Sequence, residues 1–433
     1  MALLTTYQTP CLRNNDYAAN YTPTSGTLNM RYGASSSKYD IVATINEGEI
    51  FTCMGEYNDN NGTPWLYGMY NDQYGYCHLP SLTKSSVKYV SAERSVSDIN
   101  TMLKKYRNIQ FAKGAKYKIS TALIVHSNTI IDLNGATLRR YGADNVLESY
   151  VDPDVTTGYN GVHDVVIKNG TLEGMNSLGL RSTNLTSFMH CKNIVFENVT
   201  FLDTPGCHSC DVVGCSNVTF LNCKFLGYCT AGNDFRESIQ IDYASYASLP
   251  SFPVGSKCYD MTYCKNINII GCTFDKSDNY PSQYCAIGAH SQGNDYNYHE
   301  NIVVKDCVAT GNGNTNTDPS YGAFIRCMKF KNTLIEGNVI GNYARFVWIT
   351  MPGRLMNPDG SGIQATDDPD KVFNVENLKV LNNKIISRGS TWQSYGMYIK
   401  DTFNKSSDIL VQGLNVPSTA VYTKGCSNVT INL

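Results

Sequence analysis

The chain has 433 residues, with 35 Lys and Arg against 37 Asp and Glu and a formal net charge of -2. That balance lacks the basic excess of a nucleic-acid binder, and 42% hydrophobic residues are enough for a core, which excludes disorder over most of the chain. No run approaches the roughly 18 apolar residues of a membrane span, so no membrane partner is expected.

The start, MALLTTYQTPCLRNNDY, has neither a basic opening nor an apolar stretch of secretory length. It reads as a chain made in the cytoplasm without a signal peptide. The 16 Cys are too sparse for a disulfide scaffold and are expected as free thiols. Cys207 and Cys210 make a lone C-x-x-C with no second pair, so they fit small buried residues better than a metal or redox motif. No metal and no cofactor are expected.

Residues 1–20 are polar and read as an arm. Residues 21–82 form a separate unit. Its short alternating runs, Ile41 to Ile45, Ile50 to Met54, Trp65 to Tyr70 and Gly75 to Leu79, are split by Gly, Asn and Asp. That is the pattern of a small all-β barrel. On Leu28-Asn29-Met30-Arg31-Tyr32-Gly33-Ala34, Ile45-Asn46-Glu47-Gly48, Trp65-Leu66-Tyr67 and Gly75-Tyr76 it resembles the bacterial Src-homology-3-like (SH3-like) domains that target enzymes to cell walls. The resemblance implies either a glycan-binding module or a spacer barrel without a ligand.

Residues 83–100 read as a linker and the start of a helix. The run SVSDINTMLKKYRN predicts that helix, with Ser97 or Asp98 as its cap. From 101 to 433 one unit recurs: an Asn, alternating β-branched residues, a polar turn and a second short strand. It appears at Cys191, Cys215, Cys264, His299, Phe330, Val375 and Cys426, with a looser copy at His163. The marker residues are Asn193, Asn217, Asn266, Asn301, Asn332, Asn377 and Asn428. Their first spacing, about two dozen residues, is one solenoid turn. The two longest, 217 to 266 and 377 to 428, suggest two turns, and the others one turn with an insertion. Asn suits a tight left-handed bend, and Cys191, Cys215 and Cys264 should stack in a buried ladder. The fold expected is all-β, a right-handed parallel β-helix behind an SH3-like barrel. It resembles the pectate-lyase superfamily.

Strand alternation locates a candidate site. With Cys210, Val212, Ile239, Ile241, Cys285, Ile287, Ile325 and Cys327 inward, Asp211, Gln240, Asp242, His290 and Arg326 face outward on consecutive rungs. Glu237 has inward parity but sits at a strand start, where it can lean over the edge of the groove. Paired acids suit glycoside cleavage, an imidazole can relay a proton and a guanidinium can hold an anionic sugar. We therefore expect Asp211, Glu237, Asp242 and His290 as catalytic residues and His208, Gln240, Tyr243 and Arg326 as substrate-binding residues. Trp348 reads as core or groove wall.

At His208 to Asp211, Glu237 to Asp242, Tyr259-Asp260 to Asn266 and Ala286 to His290 the chain resembles β-helix proteins of Gram-positive bacteria and their phages. It resembles polygalacturonase-type hydrolases more distantly: Arg236-Glu237 stands where those carry an Asp pair, and Arg326-Cys327-Met328 replaces Arg-Ile-Lys. These resemblances imply a polysaccharide depolymerase acting on a bacterial surface or cell-wall glycan. They imply a phage tail spike or other extracellular protein, assembled as a homotrimer. The alternatives are a non-catalytic receptor-binding or structural phage protein and a polysaccharide lyase.

Overall fold

The computed structural model describes residues 3–10, 12–13, 17–71, 73–174, 183–229, 237–289, 292–293, 297–311, 322–349, 354–364, 366–368, 372, 375–387, 396–400, 406–417 and 420–433. The chain is all-β, a right-handed parallel β-helix preceded by a small curled antiparallel sheet of the SH3-like kind.

In the antiparallel sheet the strands run in the order Ile41–Asn46, Thr27–Arg31, Gln73–His78, Thr63–Tyr70, Phe51–Asn60, Ala19–Pro23 and Leu82–Lys84. Leu12–Arg13 adds to Phe51–Asn60. The hairpin joining Phe51–Asn60 to Thr63–Tyr70 turns on Asn61 (φ 55°) and Gly62 (φ 81°). Two left-handed residues in succession match the twist of the flanking strands, and Asn-Gly adopts that pair at least cost. Met30, Ile45, Phe51, Leu66 and Cys77 fill the interior.

One helix, α1 (Val96–Lys105), follows. Its cap is Ser95, whose Oγ accepts the Asp98 N–H at 3.1 Å. The expected caps Ser97 and Asp98 thus fall inside the first turn, where Asp98 favours the positive helix end. Ile99, Met102 and Leu103 point into the solenoid core and close its first coil. Asn100 finishes the edge strand Leu123–Val125 by accepting the Ile124 N–H at 2.8 Å and donating to the Ala122 carbonyl at 3.0 Å.

The solenoid stacks in-register parallel strands. Every marker Asn is left-handed, with φ between 52° and 57°. Each also donates its side-chain N–H to the residue one coil below. Asn193 donates to Asp164, Asn217 to Asn193, Asn266 to Asn217, Asn301 to Asn266, Asn332 to Asn301 and Asn377 to Asn332, at 2.7–3.2 Å. The interval from 217 to 266 is therefore one turn carrying a long insertion. The interval from 377 to 428 is two turns, with Asp408 taking the intermediate place and accepting from Asn428 at 3.0 Å.

The cysteines stack as expected. Cys215 Sγ accepts the Cys191 N–H at 3.3 Å and Cys264 Sγ accepts the Cys215 N–H at 3.4 Å. The series ends on His299, whose Nδ1 accepts the Cys264 N–H at 3.0 Å. The cysteines of the described residues are free. Between the sheets Phe201, Phe225 and Phe274 stack with centroids 4.7 and 4.8 Å apart.

The antiparallel sheet seats on the outer face of one solenoid sheet. Ile130, Val166 and Val195, outward on successive rungs, pack against Met54 and Met69. Beside them Asn20 donates its backbone N–H to Asn108 Oδ1 at 3.0 Å and its amide to the carbonyls of Arg107 and Asn128 at 2.8 and 2.7 Å. These buried bonds tie strand Ala19–Pro23 to the first coils.

Candidate functional site

A ten-stranded parallel sheet forms another wall of the solenoid. Cys210, Val212, Ile239, Ile241, Ile287, Ile325 and Cys327 point into the core. The alternate positions, in register from rung to rung, are Ile124, Glu148, Ser187, Asp211, Gln240, Gly288, Arg326 and Trp348. Gly288 is needed here: a Cβ would stand 2.4 Å from the Arg326 carbonyl oxygen.

A cleft of about 840 Å³ lies over the N-terminal half of this face. Ile124, Glu148 and Asp211 lie along it, Asp144, Asn145, Asn184 and His208 border it, and residues 247–251 form a further wall. That last wall belongs to the insertion between Asn217 and Asn266. Tyr259 and Cys258 anchor it against Met189 and Val213. His190 holds it from below, with Nδ1 2.7 Å from the Gly158 carbonyl and Nε2 2.6 Å from that of Cys258. Burial and the charge of Asp144 push the Glu148 carboxyl up to about 6.

The residues expected from the sequence form two buried groups beside the cleft. In the first, Glu237 is fully enclosed. Its carboxylate lies 3.7 Å from His208 Nδ1 and 3.9 Å from Arg326 Nη1. Its backbone carbonyl accepts from Gln283 Nε2 at 2.8 Å, and Ser238 Oγ donates to Gln283 Oε1 at 2.8 Å. Arg326 also packs over Trp348 at 4.8 Å, with Arg345 at 5.3 Å. In the second group Gln240 donates to the Asp242 carboxylate. Asp211 accepts from Asn184 Nδ2 at 3.3 Å and lines the cleft.

Tyr243 lies apart from the cleft lining. Its ring sits 4.3 Å from that of His299 and its hydroxyl donates to the Asn297 carbonyl at 2.9 Å. His290 and Arg236 lie outside the described residues. Asp211, Glu237 and Asp242 are each no more than 1% exposed. Among the described residues no group of three or more His, Cys, Asp or Glu is placed to hold a metal ion.

Sequence reasoning missed Glu148, Asp144, Asn184 and the 247–251 wall. The strand Leu147–Ser149 has the right alternation, with Glu148 between two inward residues, but its coil precedes the first marker Asn. The wall is an insertion, and its place follows only from the single-turn reading of residues 217 to 266.

No protein-family model matches the chain. A plasmin and fibronectin-binding protein A of Streptococcus pneumoniae is 23% identical over 256 residues, covering 53% of this chain and 34% of the relative. The chain thus spans about a third of the length of the curated relative it matches. Two solved structures of PfbA, a surface adhesin of Streptococcus pneumoniae, share the fold. One has TM-score 0.56 and 19% identity over 78% of this chain and 77% of the other. The second has TM-score 0.53 and 16% identity over 79% and 89%. These findings overturn the expectation of a glycan-cleaving hydrolase or phage tail spike. The curated relative is a binding protein and the solved structures are of an adhesin. The glycan partner, the lyase alternative and the homotrimer, expected on the same grounds, lose their basis with it. What stands is a pectate-lyase-like β-helix whose similar proteins are described by what they bind and adhere to.

Proposed function

We propose that the chain is an adhesin-type binding protein that works outside the cell and holds an extracellular protein of the plasmin or fibronectin kind. The observation that carries this reading is the match to a plasmin and fibronectin-binding protein. Similarity to a bacterial surface adhesin supports the extracellular location. The geometry is in keeping with it: the open cleft, which Asp211 lines, offers amides, hydroxyls and carboxylates on a rigid sheet. Polar contacts held on a fixed scaffold give orientation and specificity without any reacting group.

The test is surface plasmon resonance of the full chain over immobilised plasmin and immobilised fibronectin. Saturable binding to either is expected. Ser248→Trp, which fills the cleft from its outer wall, should weaken binding at least tenfold, and Glu148→Lys should weaken it less. Failure to bind either protein would overturn the reading, and binding untouched by Ser248→Trp would remove the cleft from it.

A further inference from the structure

The ring of His190 joins three parts of the chain behind the cleft wall. Its backbone belongs to the solenoid: the His190 N–H donates to the Val213 carbonyl at 3.0 Å, and its own carbonyl accepts the Gly161 N–H at 3.0 Å. Its Nδ1 lies 2.7 Å from the carbonyl oxygen of Gly158, in the segment 150–162. Its Nε2 lies 2.6 Å from the carbonyl oxygen of Cys258, in the insertion that builds the wall. The ring is fully buried. Asp260 stands beside it, with Oδ1 3.9 Å from Nε2. The same carboxylate accepts the Gly158 N–H at 2.7 Å and the Thr262 N–H at 2.9 Å.

A carbonyl oxygen can only accept. A neutral imidazole carries one N–H, so it satisfies one of these two carbonyls and turns a lone pair on the other at hydrogen-bonding distance. The doubly protonated ring donates to both. His299 shows the opposite arrangement, with Nδ1 accepting the Cys264 N–H at 3.0 Å and Nε2 lacking a partner, as a neutral ring allows. A buried imidazolium needs an anion at hand. The segments around the ring carry Asp152, Asp154 and Tyr159, then Lys257, Cys258, Tyr259 and Asp260, with Cys191 and Cys215 on the neighbouring rungs. Among the described residues Asp260 is the acid within 4 Å of the ring. Burial pushes the Cys258 thiol up to about 11 and raises the Tyr159 and Tyr259 hydroxyls, so these groups stay neutral where a histidine titrates.

We propose that His190 is a charged latch: as an imidazolium it pins the insertion to the segment 150–162, and loss of one proton as pH rises frees the wall of the cleft. The hold reaches the wall through Tyr259, whose hydroxyl donates to the Leu249 carbonyl at 2.8 Å and accepts the Phe252 N–H at 3.0 Å. Deprotonation leaves a lone pair against the oxygen of Gly158 or of Cys258, so one charge-assisted bond gives way to repulsion. The sign follows from the geometry: the wall is held at low pH and released at high pH. The latch is a property of the wall and does not rest on the binding partner proposed above.

The experiment is nuclear magnetic resonance of the full chain between about pH 5 and about pH 9, which spans the ordinary histidine range. One measurement follows the ring nitrogens of His190. The other follows hydrogen-exchange protection of the Cys258 and Gly158 amides, which bond across the same joint to the Pro153 carbonyl and the Asp260 carboxylate, corrected for the intrinsic pH dependence of exchange. Both ring nitrogens should carry protons at the acid end. Protection should then fall at least about tenfold as the ring loses a proton, as loss of one hydrogen bond to a charged group implies. His190→Asn tolerates the left-handed backbone of this position (φ 58°) but cannot span both carbonyls. It should show low protection at every pH and no step. Asp260→Asn should move the step to lower pH. A ring that stays neutral over the whole range, or a step of equal size in His190→Asn, overturns the latch. If His190→Asn fails to fold, the wild type decides: protection that steps at a pH other than that of the His190 titration overturns the proposal.

Discussion

On the covered solenoid sheet, outward positions 130, 166 and 195 are Ile, Val and Val and pack against Met54 and Met69. On the ten-stranded sheet the outward positions 187, 211 and 240 are Ser, Asp and Gln; the first two accept from neighbouring asparagine amides and the third donates to the Asp242 carboxylate. Strand alternation is the same in both. What differs is what covers the outer face: apolar side chains of the antiparallel sheet on one, polar side chains from loops and neighbouring strands on the other. An outward apolar residue on a solenoid rung therefore marks a face the protein covers itself, and an outward buried polar group marks one it organises for contact.

A charge placed on the covered face should break this contrast most severely. Val166→Asp buries a carboxylate between Met54 and Met69 and should cost about 4 kcal/mol, read by urea unfolding and by earlier proteolysis of residues 17–84. Arg326→Leu comes next. It leaves the enclosed Glu237 without its guanidinium neighbour, at about 3 kcal/mol. Adding Glu237→Gln should recover much of that loss, and a double mutant no better than the single would show that the two side chains act separately.

At the bend between the sheets the effect is set by pH. Burial and the charge of Lys329 lower the His299 imidazole to about 3, against an unfolded value of 6.5. Its Nδ1 already accepts from Cys264, so the folded chain holds the neutral ring. The unfolded state takes up the proton first as pH falls. Stability is thus full above about 6.5 and declines by about 1.4 kcal/mol per unit down to the folded value, so about 2.7 kcal/mol is gone at pH 4.5. His299→Gln should flatten that slope in denaturation curves taken between pH 7 and 4.5.

The smallest effect belongs to the open cleft. The Glu148 carboxyl is held above its unfolded value, so the folded state loses stability as pH rises through the interval up to about 6. Glu148→Gln should gain about 1 kcal/mol at pH 7, and Asp144→Asn should bring the Glu148 titration down in a carbon-detected NMR experiment.

Much of the solenoid was legible because its repeating residues do the same job in every coil. Asn at the bend tolerates left-handed backbone, and Cys packs as a small apolar residue, so both recur at fixed places and can be counted. The 217 to 266 interval could not be assigned by counting, since a coil with a long insertion and two plain coils consume similar lengths. The bond from Asn266 to Asn217 and the direct pairing of their strands separate them. Outward parity was legible for Asp211, Gln240 and Arg326. Their burial was not, because it depends on His208, Gln283 and Asn184 arriving from loops with no periodic signal. Alternation gives the direction of a side chain, and the covering loops decide whether it meets solvent; the glycan-cleaving reading was overturned separately, by similarity to a binding protein and an adhesin.

The column of marker asparagines also has a direction. Each amide hands its proton to the carbonyl oxygen of the coil below, and the series ends on the Asp164 carboxylate, which His163 Nδ1 approaches at 3.0 Å. Six head-to-tail amide dipoles ending on an anion polarise one another along the solenoid axis. The column is therefore a wire with a sign, and Asp164→Asn should loosen it from its grounded end, seen as faster amide exchange that fades from coil to coil toward Asn377.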